Sequence, residues 1–212
     1  MHRKWFVQKT NPEYVSYLAG ASSVSPAFAQ VLINRGMKTP EDVSSFLDPS
    51  KTEMCDPFSL DGMESVVEAL EKARASGTKV LIHGDYDCDG ITATAIMVEA
   101  FRAYGLQVEY FVPNRFDHGY GFNLPGLEHA KQVGAGLIVT VDCGITSFEA
   151  SEAARNVGIG LVITDHHEPH IDADGKMVLP EALAIINPKL KEHDEDTPLL
   201  SGAGVALCVT KA

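Results

Sequence analysis

From Lys79 onward, short aliphatic runs alternate with helix-length segments, and no other feature of the sequence constrains the fold as much. Lys79-Val80-Leu81-Ile82, Val108 to Val112, residues 136–141, Leu161 to Thr164 and Leu183 to Ile186 read as five strands. Between them, helices are expected from about Ile91 to Tyr104, over 124–133, and from Ser147 to about Asn156. Strands alternating with helices imply βαβ units, so the prediction is an α/β, doubly wound, mostly parallel five-stranded sheet with helices on both faces. Ahead of the first strand, Asp61 and Glu64 have capping-box spacing, Met63, Val66, Val67 and Leu70 share a helix face, and Gly77 ends the segment. Residues 1–60 are interrupted by Pro12, Gly20, Pro26, Gly36, Pro40, Pro49 and Pro57 and read as a small helical or irregular appendage. The sheet domain is then expected over 61–212, with the Asp172–Gly175 turn and the charged stretch 189–196 as solvated loops.

Several classes are excluded at once. Apolar residues make up 45% of the chain and charged residues 22%, which is globular rather than disordered composition. No apolar run reaches the 18 residues of a membrane span, and the basic start around Trp5 lacks the apolar core of a signal peptide. Cys55, Cys88, Cys143 and Cys208 are scattered and read as reduced thiols, which places the chain in the cytoplasm. With 17 basic and 29 acidic residues the net charge is −12, so the chain does not coat nucleic acid through bulk charge. A nucleic-acid enzyme remains compatible, because carboxylates gathered at a metal site add to that sum and bound cations invert the local sign.

In an open parallel sheet, ligands collect at the carboxyl ends of the strands. There the sequence places His83-Gly84-Asp85-Tyr86-Asp87-Cys88-Asp89-Gly90 after the first strand, Asp142-Cys143-Gly144 after the third, and Asp165-His166-His167 after the fourth. Taken singly, each piece has an ordinary structural explanation: Asp89-Gly90 as a turn and cap, Asp142-Cys143-Gly144 as a turn, Asp165 as a helix cap. Taken together, five carboxylates on one rim without cations would raise one another's pKa values and destabilise the fold.

Asp85, Asp87, Asp89 and Gly90 match the start of a calcium EF-hand loop, but position 12 is Ile96 and a strand precedes the loop. A structural zinc site would need thiolates at a spacing the cysteines lack, although His166, His167 and His170 are close in sequence. Carboxylates with a few imidazoles suit Mn²⁺ or Mg²⁺, and the number of acids suits two ions sharing a bridging carboxylate. Two such ions, about 3.5–4 Å apart, form a clamp for displacement at phosphorus, which points to phosphoester hydrolysis.

These three motifs, in this order, resemble those of the DHH phosphoesterase superfamily. The segments around Val112-Pro113-Asn114-Arg115-Phe116, Gly119-Tyr120-Gly121-Phe122, Ile186-Asn187-Pro188-Lys189 and Leu200-Ser201-Gly202-Ala203-Gly204-Val205 are similar to its single-strand-specific DNA exonuclease branch, as are Trp5, Leu32 to Gly36, Phe46 to Pro49 and Asp56-Pro57-Phe58. The resemblance implies 5′→3′ hydrolysis of single-stranded DNA in repair and recombination, with a single-strand-binding protein as a further candidate partner. It implies that His83 and Asp87 hold a first ion, Asp89 and His166 a second, and that Asp142 bridges the two. His167 would act beside the scissile phosphate, with Asp85 and Asp165 as outer carboxylates that orient the ligands. Arg115 suits a DNA phosphate, and Ser201-Gly202 opens a helix that suits an anion.

In the family whose motifs this chain resembles, the fourth motif lies beyond the glycine-rich helix, so the chain is expected to be an amino-terminal fragment with weak or absent cleavage of its own. Three rivals stand beside this reading. One is a related phosphodiesterase acting on short oligonucleotides, cyclic dinucleotides or pyrophosphate. Another is a phospho-accepting receiver built on Asp85, Asp142, Thr164 and Lys189, and the last is a scaffold that lost catalysis.

Overall fold

The structure is a computed structural model that describes residues 10–48, 50, 54–117, 119–190 and 200–212. Trp5, Pro49 and most of the charged stretch 189–196 lie outside the described residues. The chain divides into two units, Met1–Met54 and Cys55–Ala212, a boundary six residues before the one read from the sequence.

In the first unit, three prolines read as interruptions are helix starts instead. They occupy the opening positions of α1 (Pro12–Ala21), α2 (Pro26–Asn34) and α3 (Pro40–Leu47), preceded by the capping side chains of Asn11, Ser25 and Thr39. Proline suits that position because its ring presets the helical φ and its missing N–H would have had no helical partner. Leu18, Leu32 and Val43 form the small core.

The second unit holds α4 (Met63–Ser76), β1 (Val80–His83), α5 (Cys88–Ala103), β2 (Val108–Phe111), α6 (Leu124–Val133), β3 (Leu137–Val141), α7 (Phe148–Asn156), β4 (Gly160–Thr164), β5 (His170–Ile171), β6 (Met177–Val178), β7 (Ala184–Ile186) and α8 (Gly202–Lys211). The five-stranded sheet has the order β2-β1-β3-β4-β7, with every pairing parallel, as expected. Alternate strand residues serve opposite faces. Val80, Ile82, Val139 and Val162 pack with α4, α5 and α8, whereas Leu81, Ile138, Leu161 and Ile163 pack with α6 and α7. The chain leaves β1 toward β2 on one side and returns to β3 on the other. The carboxyl ends of β1 and β3 therefore flank the point where strand order reverses, the usual crevice of such sheets.

Two local expectations are corrected. α4 has no capping box: Gly62, with φ 88°, occupies the cap position without a side-chain bond. There the backbone runs so close to the Ile185 carbonyl that a Cβ would lie 2.4 Å from its oxygen. α5 begins at Cys88 rather than Ile91, because Asp87 Oδ1 accepts the Gly90 N–H at 2.9 Å and makes the acid-rich segment a helix start. The turn at 172–175 joins an antiparallel pair, β5 and β6, whose two-residue strands are too short to leave a periodic signal. The Cys55 and Cys208 sulfurs approach to 3.6 Å. Among the described residues, no helix is long and apolar enough to cross a membrane.

Candidate metal centre

Each motif residue reaches the rim because a strand ends there. β1 pairs His83 with Thr140 of β3, and β3 pairs Val141 with Thr164 of β4. Asp142 and Asp165, one residue beyond their strands, thus emerge side by side.

Asp142 is the centre of the arrangement. It is 1% exposed and sits at φ 61°, a left-handed conformation that costs most residues energy but that Asp and Asn tolerate. Neither carboxylate oxygen accepts a hydrogen bond among the described residues, although His166 Nε2 lies 3.0 Å from Oδ1. That contact has the distance of an ion pair without hydrogen-bond direction. Burial, followed by the charges of Asp89 and Asp87, pushes the Asp142 carboxyl up to about 7. Gly202 approaches closely: a Cβ there would lie 2.3 Å from Asp142 Oδ1.

Two groups of donors meet at this carboxylate. One is Asp85, Asp87 and Asp142, the other Asp142, His166 and His167; within each, one donor atom from every residue lies within 4.8 Å of the others. Asp85 is buried, which pushes its carboxyl above the ordinary range despite the Tyr86 N–H bond to it at 2.8 Å. It stands in a donor group rather than outside one.

Asp89 has a different environment. Its two oxygens accept the N–H groups of Gly202 at 2.7 Å and Ala203 at 2.8 Å, at the start of α8, and His166 Nε2 lies 3.6 Å away. Burial works against its charge, but these bonds, with Ser201 and His166, prevail and hold it below the usual carboxylate range. The Ser201-Gly202 helix start therefore directs its N–H groups at Asp89, while Ser201 Oγ accepts the Gly204 N–H at 3.2 Å. His83 is fully buried, with its ring 5.3 Å from that of Phe111, 5.2 Å from that of Phe122, and its Nδ1 3.8 Å from the Cys143 sulfur.

Asp165 and His167 form a directed pair. Asp165 Oδ1 accepts the N–H groups of His166 and His167 and meets His167 Nδ1 at 2.7 Å, while Oδ2 accepts the Ile145 N–H at 2.9 Å. Burial opposes the Asp165 charge, yet the His167 ring and these N–H groups outweigh it and keep the carboxyl low. In turn, the bond to Asp165 raises the His167 imidazole against a smaller opposing effect of burial. This fixes the proton on Nδ1 and turns Nε2 toward the Tyr120 hydroxyl, 3.1 Å away. Burial and then the Asp85 charge push the Tyr120 phenol up, so it remains a neutral hydroxyl.

Tyr120 was not among the residues expected to act here, though its Gly119-Tyr120-Gly121 setting marks a loop of constrained shape. Arg115 reaches the same rim, with its guanidinium 5.7 Å from the Tyr86 ring centre. Beside His167 opens a cavity of about 260 Å³, lined in part by Tyr120, Phe122, Asn123, Ser147 and Phe148. The receiver alternative finds no site: the Thr164 hydroxyl donates to the Thr140 carbonyl inside the sheet, and Lys189 pairs with Glu168 at 2.8 Å.

An acid-rich rim at a strand-order reversal, centred on a buried carboxylate with two donor groups around it, offers on a parallel α/β sheet the ligand types that divalent cations take. Residues 79–211 match the DHH family, N-terminal domain, and the chain belongs to that family. Its relatives include the single-stranded-DNA-specific exonuclease RecJ of Bacillus subtilis, 33% identical over 99% of this chain and 26% of the relative. RecJ of Escherichia coli is 39% identical over 87% of this chain and 30% of the relative. A crystal structure of RecJ from Thermus thermophilus in complex with Mn²⁺ superposes with a TM-score of 0.65 at 29% identity, covering 96% of this chain and 27% of that one. The chain thus spans about a quarter to a third of the length of these relatives.

Proposed function

We propose that this chain carries the metal-binding portion of a single-strand-specific DNA exonuclease that hydrolyses phosphodiester bonds 5′→3′ with two Mn²⁺ or Mg²⁺ ions, in DNA repair and recombination in the cytoplasm. The observation that carries the reading is Asp142: a buried carboxylate whose oxygens accept no hydrogen bond among the described residues, common to both donor groups. A group so placed is stabilised when cations neutralise it. The names and manganese of the relatives favour those ions and that substrate for this chain.

In this scheme Asp142, Asp85, Asp87 and His166 would hold the ions. Asp89, oriented by the start of α8, supports the His166 side, and His83 supports the Asp87 side. The bound ions supply Lewis-acid polarisation of the phosphodiester and activation of water. His167, held by Asp165, presents Nε2 beside the scissile phosphate, where a charged imidazole stabilises developing negative charge or delivers a proton to the departing oxygen. Arg115 contacts a phosphate of the strand.

Mn²⁺ titration followed by calorimetry tests the reading, with release of 5′-mononucleotides from long single strands as the activity measurement on the full-length protein. Saturable Mn²⁺ binding near two ions per chain and preference for long DNA support it. Absence of Mn²⁺ binding refutes it, and activity confined to dinucleotides transfers the site to the oligonucleotide phosphodiesterases.

A further inference from the structure

Two cysteines meet where the start of the second unit packs on α8. The Cys55 and Cys208 sulfurs lie 3.6 Å apart, although 153 positions separate the residues in sequence. Both are free thiols, Cys208 buried and Cys55 partly open to solvent. Leu60, Val205 and Val209 share a core cluster with Cys208, and Cys55 packs against it. Lys211 Nζ donates to the Cys55 carbonyl at 3.5 Å, a second tie between the same two segments. Beside Cys55, the Asp56 side chain accepts the Phe58 N–H at 3.0 Å and caps the short turn Pro57–Ser59, so the segment that carries the thiol is itself held.

A single buried cysteine is a small apolar side chain whose packing needs no redox chemistry. Two whose sulfurs touch are a two-electron couple, open or closed according to the surrounding oxidant. A disulfide bond is about 2.05 Å long, so these sulfurs need to approach by only about 1.5 Å. Burial, then the adjoining Cys55 thiol, pushes the Cys208 thiol up. Cys55, with its access to solvent, is therefore the sulfur an oxidant reaches, and Cys208 is the one that resolves it.

We propose that Cys55 and Cys208 form a reversible disulfide, closed by a hydroperoxide and reopened by a small-molecule thiol, that fastens α8 to the start of the second unit. The Cys55 thiolate attacks the peroxide oxygen; the O–O bond breaks, and Cys55 becomes a sulfenic acid as water or an alcohol departs. The Cys208 sulfur then attacks the Cys55 sulfur, the S–O bond breaks, and the departing hydroxide leaves as water with the Cys208 proton. Both sulfurs are oxidised and the peroxide is reduced. Two molecules of external thiol reverse the bond and leave as their own disulfide. The bridge anchors the helix whose first N–H groups hold Asp89 and whose Gly202 lies against Asp142. The inference goes beyond the proposed function and does not depend on it, because the bridge needs no metal.

The test exposes the full-length protein, in EDTA, to hydrogen peroxide at doses that oxidise glutathione in a parallel tube. Alkylation in denaturant and digestion without reductant follow, and the peptides are read by mass spectrometry. A Cys55–Cys208 linked peptide that dithiothreitol abolishes supports the proposal. In Cys208→Ala, Cys55 should instead be trapped by dimedone as the sulfenic acid, and in Cys55→Ser, Cys208 should remain alkylatable. Hydrogen exchange of the peptide that carries Gly202 and Ala203 should slow by about tenfold or more in the bridged native protein, and not in peroxide-treated Cys55→Ser. Native protein whose Cys55 and Cys208 both remain alkylatable, or whose Cys55 ends as a sulfinic acid, overturns the bridge. A bridged protein whose α8 start exchanges as fast as before overturns the anchoring of α8.

Discussion

Replacing Asp142 by asparagine should change stability in opposite directions with and without metal. In the ion-free protein, burial and the neighbouring Asp89 and Asp87 move this carboxyl from 3.8 to about 7. Its folded-state pKa is raised, so the stability it contributes is fully present below about pH 4 and is lost as pH rises through about 7. At pH 8 the charge is destabilising by on the order of 2–4 kcal/mol, at about 1.4 kcal/mol for each tenfold change in proton affinity. Asparagine removes the charge, keeps the shape and tolerates the φ of 61°, which alanine would not. Asp142→Asn in EDTA at pH 8 should therefore melt higher than the native protein by roughly 5–10 °C, at about 2–4 °C per kcal/mol for a chain of this size. The advantage should vanish near pH 4. In Mn²⁺ the order reverses: the native protein gains about 4.1 kcal/mol at a metal concentration a thousandfold above its dissociation constant, and the variant gains little because both donor groups have lost their shared member. Differential scanning calorimetry at pH 4 and pH 8, in EDTA and in Mn²⁺, supplies the four comparisons. A variant that melts lower than the native protein in EDTA at pH 8, or one that Mn²⁺ stabilises fully, refutes the reasoning.

Gly202→Ala should cost about 1–3 kcal/mol by forcing a methyl group against Asp142 and the start of α8, although alanine is ordinarily the better helix former; urea denaturation measures the loss, and Mn²⁺ stabilisation should fall with it. Asp165→Asn should lower the pH at which His167 loses its proton, because the bond that raises it becomes neutral; an NMR titration of the imidazole in the ion-free protein reports the change, and an unmoved midpoint removes Asp165 from its orienting role.

The sheet was legible because Val80 to Ile82, Leu137 to Val139 and Leu161 to Ile163 are buried on both faces and so are apolar without interruption. The rim was legible for a topological reason: parallel strands deliver whatever ends or follows them to one edge, so His83 needed only to end a strand and Asp142 and Asp165 only to follow one. What the sequence concealed depends on contacts between distant segments. Nothing local indicates that Gly62, rather than Asp61, occupies the cap of α4, since the reason is the Ile185 carbonyl far along the chain. The start of α8 reads as an anion site, but the anion it meets is Asp89, 113 residues earlier. Tyr120 belongs to a loop with no periodicity, and its bond to His167 exists only once β2, α6 and β4 are in place.

The union of Asp89 with the start of α8 has a consequence for how the molecule comes into being. A strand-end cluster assembled from neighbouring segments would be complete early in synthesis. Here a loop of more than a hundred residues must close before the carboxylate receives its two N–H groups and Gly202 settles against Asp142. Both donor groups lie within residues 85–167, so a nascent chain holds them before α8 has emerged to fix Asp89 and settle against Asp142.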